Sequence, residues 1–125
     1  MLKHVPRLLG LSCILVLLLA GCGGSSNGPN AVHMSGMQFD QRSITIKQGE
    51  SITLINDDLV GTHIIANGTW VNGAARPARE AGAPEVDNVT IGGNSSATIG
   101  PFTTAGTFQL YCPVHVGMNL TVIVQ

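Results

Sequence analysis

The chain has 125 residues, which limits it to one ordinary domain and excludes large enzymes with several reaction centres. Only 10% of its residues are charged, 4% are aromatic and 16 are glycine, a composition typical of a β-rich, turn-rich fold rather than a helical bundle or a disordered tail. The chain has only six basic residues against seven acidic ones, a formal net charge of −1. Because no basic surface is expected, nucleic acid is not expected as a partner.

The first 21 residues are predicted to be an export signal. Lys3 and Arg7 precede an almost wholly apolar run over 8–20, which is shorter than the roughly 17–25 residues of a membrane-spanning helix. The run ends in Leu-Ala-Gly-Cys at 19–22, which resembles a bacterial lipobox. Cys22 is therefore expected to carry lipid and to become the new N-terminus. The alternative is an ordinary signal peptide followed by a free cysteine.

Removal of this signal would leave 104 residues with four basic and seven acidic side chains, a net charge of −3. Residues 22–30 begin with the lipidated cysteine and continue without an apolar side chain, which predicts a flexible linker. The folded domain is expected to span 31–125. These features predict a protein of the bacterial cell envelope, lipid-anchored on the periplasmic or another extracytoplasmic face of a membrane.

Short alternating or β-branched runs separated by turn residues predict about seven strands. The runs cover 32–39, 43–47, 51–55, 63–66, 96–99, 107–111 and 119–124. This spacing predicts an all-β fold, a Greek-key antiparallel β-sandwich. Residues 69–88 contain two prolines and predict a long loop that allows a short helical turn at 78–81. Trp70, within that segment, indicates no function by itself.

The cysteine count excludes a disulfide framework. Cys13 would leave with the signal and Cys22 would carry lipid, so Cys112 would remain the single thiol of the domain. An exported thiol is open to oxidation unless something occupies its sulfur, and a bound metal is one such occupant.

Three potential metal ligands lie within seven residues near the C-terminus. Cys112, His115 and Met118 fall between two predicted strands, so one loop at an end of the sandwich carries all three. His63 begins a strand just after a turn, where a Greek-key sandwich can bring it to the same end. One thiolate, two imidazoles and a weak thioether suit a copper electron-transfer site. Zinc is the main competitor for one Cys and two His, but a thioether is a poor zinc ligand.

The motif Cys112-x-x-His115-x-x-Met118, preceded by Gly-Thr-Phe at 106–108 and by Tyr111, resembles the copper loop of the cupredoxin family. Cupredoxins are small blue copper proteins that include plastocyanin, amicyanin and azurin, and the short ligand spacing is similar to that of amicyanin. Further similar segments lie at 36–39, 44–50 and 56–63. The resemblance covers nearly all of 31–125.

By this resemblance, His63 and His115 are the imidazole ligands, Cys112 is the thiolate ligand and Met118 is the axial ligand of one type 1 Cu ion that alternates between Cu(I) and Cu(II). Many members place Asn directly after the first ligand histidine, whereas this chain has Ile64. The hydrogen bond that this Asn forms between the two ligand loops is therefore not expected here.

Together with the lipid anchor predicted from Cys22, the resemblance implies a membrane-anchored extracytoplasmic protein that carries single electrons and is not an enzyme. Such a monomeric domain would meet its redox partner proteins transiently, with His115 and the apolar Val114 and Val116 at the contact. Two alternatives remain. One is a copper-binding module for sequestration or delivery without electron transfer. The other is a metal-free β-sandwich in which Cys112 is coincidental.

Two further groups of side chains invite a functional interpretation. His33, Met34 and Met37 could hold Cu(I), but their strand spacing favours packing and surface roles. Asp57 and Asp58 could provide a docking charge for a partner, but a solvated turn is the favoured interpretation. Neither group is assigned to the metal site.

Overall fold

The computed structural model describes residues 28–125, and the predicted signal peptide and Cys22 lie outside this range. The described chain contains ten strands and no helix, and hence no helix that could cross a membrane. The strands are β1 (Ala31–Ser35), β2 (Gln38–Phe39), β3 (Ser43–Ile46), β4 (Ile52–Asn56), β5 (His63–Val71), β6 (Ala74–Pro77), β7 (Val89–Ile91), β8 (Ser95–Ile99), β9 (Gly106–Tyr111) and β10 (Asn119–Val124).

The strands form two sheets that pack into a sandwich. One sheet has the order β2-β1-β4-β8, and the other has the order β3-β10-β9-β5-β6, with β7 also paired to β5. The predicted all-β sandwich is confirmed. Each sheet is mixed, however, because β1 runs parallel to β4 and β3 runs parallel to β10, whereas the remaining pairs are antiparallel. Strand alternation fixes which face of a strand is buried but not which strand lies beside it.

The core lies between the two sheets and is built from alternate residues of the strands. In β10 every second side chain is buried, and β4 alternates in the same way, as expected for strands with one face on the core. Full burial of one large aliphatic or aromatic side chain contributes about 1.5–3 kcal/mol. Fully buried core residues include Val32, Met34, Leu54, Ile65, Phe102, Leu110, Leu120 and Val122.

The prediction of a continuous loop over 69–88 is wrong. Strand β5 extends to Val71 and turns back into β6 as an antiparallel hairpin. The turn residues Asn72 and Gly73 both have positive φ, 50° and 77°, as a type I′ hairpin turn requires. The Asn-Gly pair is the sequence signal for this hairpin. Residues 78–81 form no helical turn.

The rest of that segment is held against β5 by Asn67. Its side chain donates to the carbonyl of Pro84 (3.1 Å) and accepts from the N–H of Val86 (2.7 Å). The backbone N–H of Asn67 also donates to the Val86 carbonyl. These bonds bring Val86 into the core, where it is 4% exposed.

The β5–β6 hairpin carries Trp70 to the loop that follows β9. The indole Nε1–H of Trp70 donates to the carbonyl oxygen of Cys112 at 2.9 Å, and its ring meets Tyr111 edge-on at 6.2 Å between centroids. Asn119, the first residue of β10, holds the Trp70 backbone with two hydrogen bonds of 2.7 and 3.0 Å. Trp70 thereby ties the hairpin to both ends of the 112–118 loop.

We expect Trp70→Phe to lower the free energy of unfolding of the metal-free chain by about 1 kcal/mol, because it removes the hydrogen bond to the Cys112 carbonyl. Urea unfolding measures this difference. Tyr111→Phe is the matched control: within residues 28–125 its hydroxyl forms no hydrogen bond, so this change should cost less than Trp70→Phe. Equal stability of Trp70→Phe and the wild type would contradict the role of the indole.

Candidate metal centre

The loop 112–118 connects β9 to β10 and is closed by its own backbone. The backbone N–H of Cys112 donates to the carbonyl of Met118 (3.0 Å). The backbone N–H of His115 donates to the carbonyl of Cys112 (3.3 Å), and that of Met118 donates to the carbonyl of His115 (3.1 Å). Gly117 has a φ of +81°, a conformation that glycine adopts without the steric cost of a Cβ. The three potential ligands of this loop are therefore held at fixed positions at one end of the sandwich.

His63 reaches the same end through the pairing of β5 with β9. Ala66 lies opposite Tyr111 and Asn67 lies opposite Leu110. Because the two strands are antiparallel, β5 runs back from Ala66 to His63 alongside the chain that leaves β9 at Cys112. Pairing of His63 with Ile91 in β7 supports the other edge of the strand.

The structure brings three of the four predicted ligands to one point. The potential ligand atoms of His63, Cys112 and His115 all lie within 4.8 Å of one another. The Sγ of Cys112 is 3.3 Å from the Nδ1 of His115, and the two imidazole rings meet at a centroid distance of 4.9 Å and an interplanar angle of 66°. Two imidazoles and one thiol therefore surround a common point.

Burial keeps this cluster away from solvent. His63 is 1% exposed and Cys112 is fully buried, whereas His115 is half-buried and its neighbours Val114 and Val116 are exposed. Met118, the fourth predicted ligand, has a buried side chain at the end of the same loop. One edge of the site, at His115, is thus the part closest to the protein surface.

The chemistry of His63 fits a metal ligand. Both of its ring nitrogens are buried without a hydrogen-bond partner within the described chain, which is costly for a polar group that binds nothing. The pKa of His63 lies below its ordinary value, because burial and the neighbouring His115 lower it by more than Asp58 raises it. The imidazole is therefore neutral at pH 7 and has a lone pair available for a metal.

The loop before His63 is organised by a residue that the sequence suggests only as part of a turn. Asn56 is 1% exposed, and its side-chain amide donates to the carbonyls of Gly61, Ile91 and Gly92 at 3.1–3.2 Å. Its Oδ1 accepts from the N–H of Asp58. Asn56 thus connects the His63 loop to β7. The sequence signal that could have identified it is an Asn in the same phase of the strand alternation as the apolar Ile52 and Leu54.

The group of His33, Met34 and Met37 does not form a site. Met34 is buried in the core and Met37 is 70% exposed, so the two side chains lie in different environments. His33 instead pairs through Nδ1 with Asp57 at 2.6 Å. These positions agree with the packing and surface roles that the strand spacing favours.

Comparison with solved structures identifies the fold. Amicyanin from Paracoccus versutus (Thiobacillus versutus) matches with a TM-score of 0.60 and 20% identity, over 82% of this chain and 84% of that chain. A single-residue variant of amicyanin in its reduced Cu(I) form at pH 4 matches with a TM-score of 0.58 and 23% identity, over 80% of this chain and 85% of that chain. No curated protein sequence matches significantly.

The family profile described as copper binding proteins, plastocyanin/azurin family, matches residues 27–125. This range contains the whole sandwich and all four predicted ligands, and a Cys with two His in contact is a donor set that suits copper. The chain therefore belongs to the copper-binding plastocyanin/azurin family, the cupredoxins.

Proposed function

We propose that this cupredoxin carries single electrons between proteins outside the cytoplasmic membrane, and that it is not an enzyme. The observation that supports this most directly is the cluster of His63, Cys112 and His115, buried except at the edge of His115. A copper ion held by these residues supplies the one-electron couple of Cu(I) and Cu(II). Burial of His63 and Cys112 restricts access of a substrate to the metal position.

The chain's own residues favour fast transfer in two ways. The 112–118 loop is closed by three backbone hydrogen bonds, and its first carbonyl is held by Trp70. A site supported in this manner keeps its donors in place when the charge at its centre changes, so little structural rearrangement accompanies each transfer. This preorganisation is the protein's contribution to the rate.

A partner protein would dock at the His115 end of the sandwich. Val114 and Val116 flank His115, and Leu59 and Val60 lie on the loop before His63. All four are exposed, from 55% for Val114 to 87% for Val60. A small apolar contact of this kind suits a weak and transient redox encounter. Electrons would enter and leave through the edge of the His115 ring.

Met118 is proposed as the axial ligand. It follows His115 at the end of the same loop, its side chain is buried at 1% exposure, and its backbone bonds to both other ligands of the loop. A weak, long thioether contact is the usual fourth interaction of a blue copper site and tunes its potential.

The first test loads the purified full chain with Cu(II) and follows visible absorption and electron paramagnetic resonance through reduction and reoxidation. We expect an intense thiolate-to-copper band that disappears on reduction and returns on reoxidation. Cys112→Ala should abolish the band, whereas Cys22→Ala, the matched cysteine control, should keep it. Loss of copper on reduction would favour copper delivery over electron transfer, and absence of the band in the wild type would contradict the copper site.

Replacement of the proposed axial ligand should change the potential and spare copper binding. We expect Met118→Leu to retain copper and to have a higher reduction potential than the wild type, because loss of the weak donor disfavours Cu(II). Spectroelectrochemical titration measures this potential. Met37→Leu, a change at an exposed methionine, is the control. An unchanged potential in Met118→Leu would argue against axial ligation.

The membrane anchor is proposed from Cys22 and the apolar run before it. We expect the wild-type protein to fractionate with membranes of the producing bacterium and Cys22→Ala to be recovered without the lipid modification. Mass spectrometry of the N-terminal peptide identifies the lipid. Cys112→Ala should remain with the membranes. An unmodified Cys22 in the wild type would show that the ordinary signal peptide is the correct alternative.

A further inference from the structure

Asp58 places a carboxylate beside the first proposed ligand. Its Oδ2 lies 3.6 Å from the Nε2 of His63, and the two side chains are 28% and 1% exposed. This separation is longer than an ordinary N–H···O hydrogen bond. It is nevertheless short enough for the carboxylate to interact electrostatically with the buried imidazole of His63.

Asp58 is held in this position through its carboxylate and through both polar groups of its backbone. Both of its oxygens accept from the N–H of Gly36, at 3.1 and 3.2 Å. The N–H of Asp58 donates to Oδ1 of Asn56 at 3.1 Å, and its carbonyl accepts from the N–H of Asn94 at 2.7 Å. A solvated turn residue, as the sequence suggests, would not need so many fixed contacts. The orientation of Asp58 toward His63 is therefore built into the fold.

The neighbouring Asp57 faces a different histidine. Its Oδ2 lies 2.6 Å from Nδ1 of His33, and its side chain is 46% exposed. The two consecutive carboxylates thus have the same charge and nearly the same place in the sequence, but only Asp58 faces a proposed copper ligand. Two other titratable groups also lie beside His63. They are His115, whose ring contacts it edge-on, and Cys112, whose thiol lies within 4.8 Å of it.

A metal-binding histidine uses one ring nitrogen for the metal, and its other nitrogen carries a proton that needs an acceptor. A carboxylate beside Nε2 favours the tautomer with its proton on Nε2, which leaves the lone pair of Nδ1 free. It also raises the basicity of the imidazole. More electron density on the ligand stabilises Cu(II) more than Cu(I).

We propose that Asp58 is a positioning residue of the copper site: it selects the Nε2–H tautomer of His63 and strengthens the binding of Cu(II) relative to Cu(I). The inference rests on the proposed function in that copper is the metal bound by His63. It does not depend on electron transfer, because the tautomer is a property of the metal-free chain as well.

The first measurement is made on the metal-free chain. Nitrogen-15 NMR of the metal-free full chain at neutral pH, with the His63 signals assigned by comparison with His63→Gln, should show the proton of His63 on Nε2. Asp58→Asn should shift the population toward the other tautomer, and Asp57→Asn should leave it unchanged. A wild-type His63 with its proton on Nδ1 would overturn the proposal.

The second measurement uses the copper-loaded full chain. We expect Asp58→Asn to weaken Cu(II) binding roughly 10- to 100-fold, the range found for loss of partners of metal-bound histidines, and to weaken Cu(I) binding less. Each tenfold loss of Cu(II) affinity relative to Cu(I) affinity raises the reduction potential by about 59 mV. Asp57→Asn, which removes the same charge one residue away, should produce a smaller shift.

The outcomes separate this proposal from the proposed function. Equal changes in Asp58→Asn and Asp57→Asn would show a general charge effect and would overturn the role of Asp58, while a reversible copper band would still support the electron carrier. A wild-type chain that binds no copper would contradict the proposed function. Thermal unfolding of the metal-free variants identifies any loss of folding, and the wild-type tautomer then decides the role of Asp58.

Discussion

The antiparallel pairing of β9 with its two neighbours is the constraint on which the metal centre depends. Pairing with β10 brings the two ends of the 112–118 loop together, since Asn119 lies opposite Tyr111. Pairing with β5 sets Ala66 opposite Tyr111 and so extends β5 to His63 beside the same loop. A shift of one residue in the second register would turn His63 to the other face of its sheet and separate it from Cys112.

The centre formed in this way is stabilised by the sandwich rather than by its own groups. His63 has two buried ring nitrogens without hydrogen-bond partners in the described chain, and Cys112 is a fully buried free thiol. Unpaired buried polar groups reduce the stability of the folded state. Such local costs are typical of functional sites in otherwise consistent folds, and the strands on both sides of the loop supply the burial that offsets them.

Support for the ligands comes from residues that do not bind the metal in the proposed site. Trp70 holds the carbonyl of Cys112, Asn56 fixes the loop before His63, and Asp58 faces the ring of His63. They come from the β5–β6 hairpin, the end of β4 and the following turn. Outer partners of this type orient ligands and tune their basicity. The cupredoxin site therefore extends well beyond the four proposed ligands.

The sequence by itself determined what depends on near neighbours in the chain. Period-two alternation identified most strands. The three-residue spacing from Cys112 to His115 and on to Met118 placed three donors on one loop, because a connection of seven residues cannot carry them apart. Even the missed β5–β6 hairpin had a local signal in Asn72 and Gly73, whose positive φ angles form its turn.

Only the tertiary structure decided what depends on strand partners. His63 precedes Cys112 by 49 positions, and its distance from the thiol follows from the register of β5 and β9. Alternation reports burial but not the neighbouring strand, so the parallel pairs of β1 with β4 and β3 with β10 were not predictable from it. For the same reason Trp70 and Asp58 had no assigned role in the sequence. Their contacts to Cys112 and His63 join chain segments that only folding brings together.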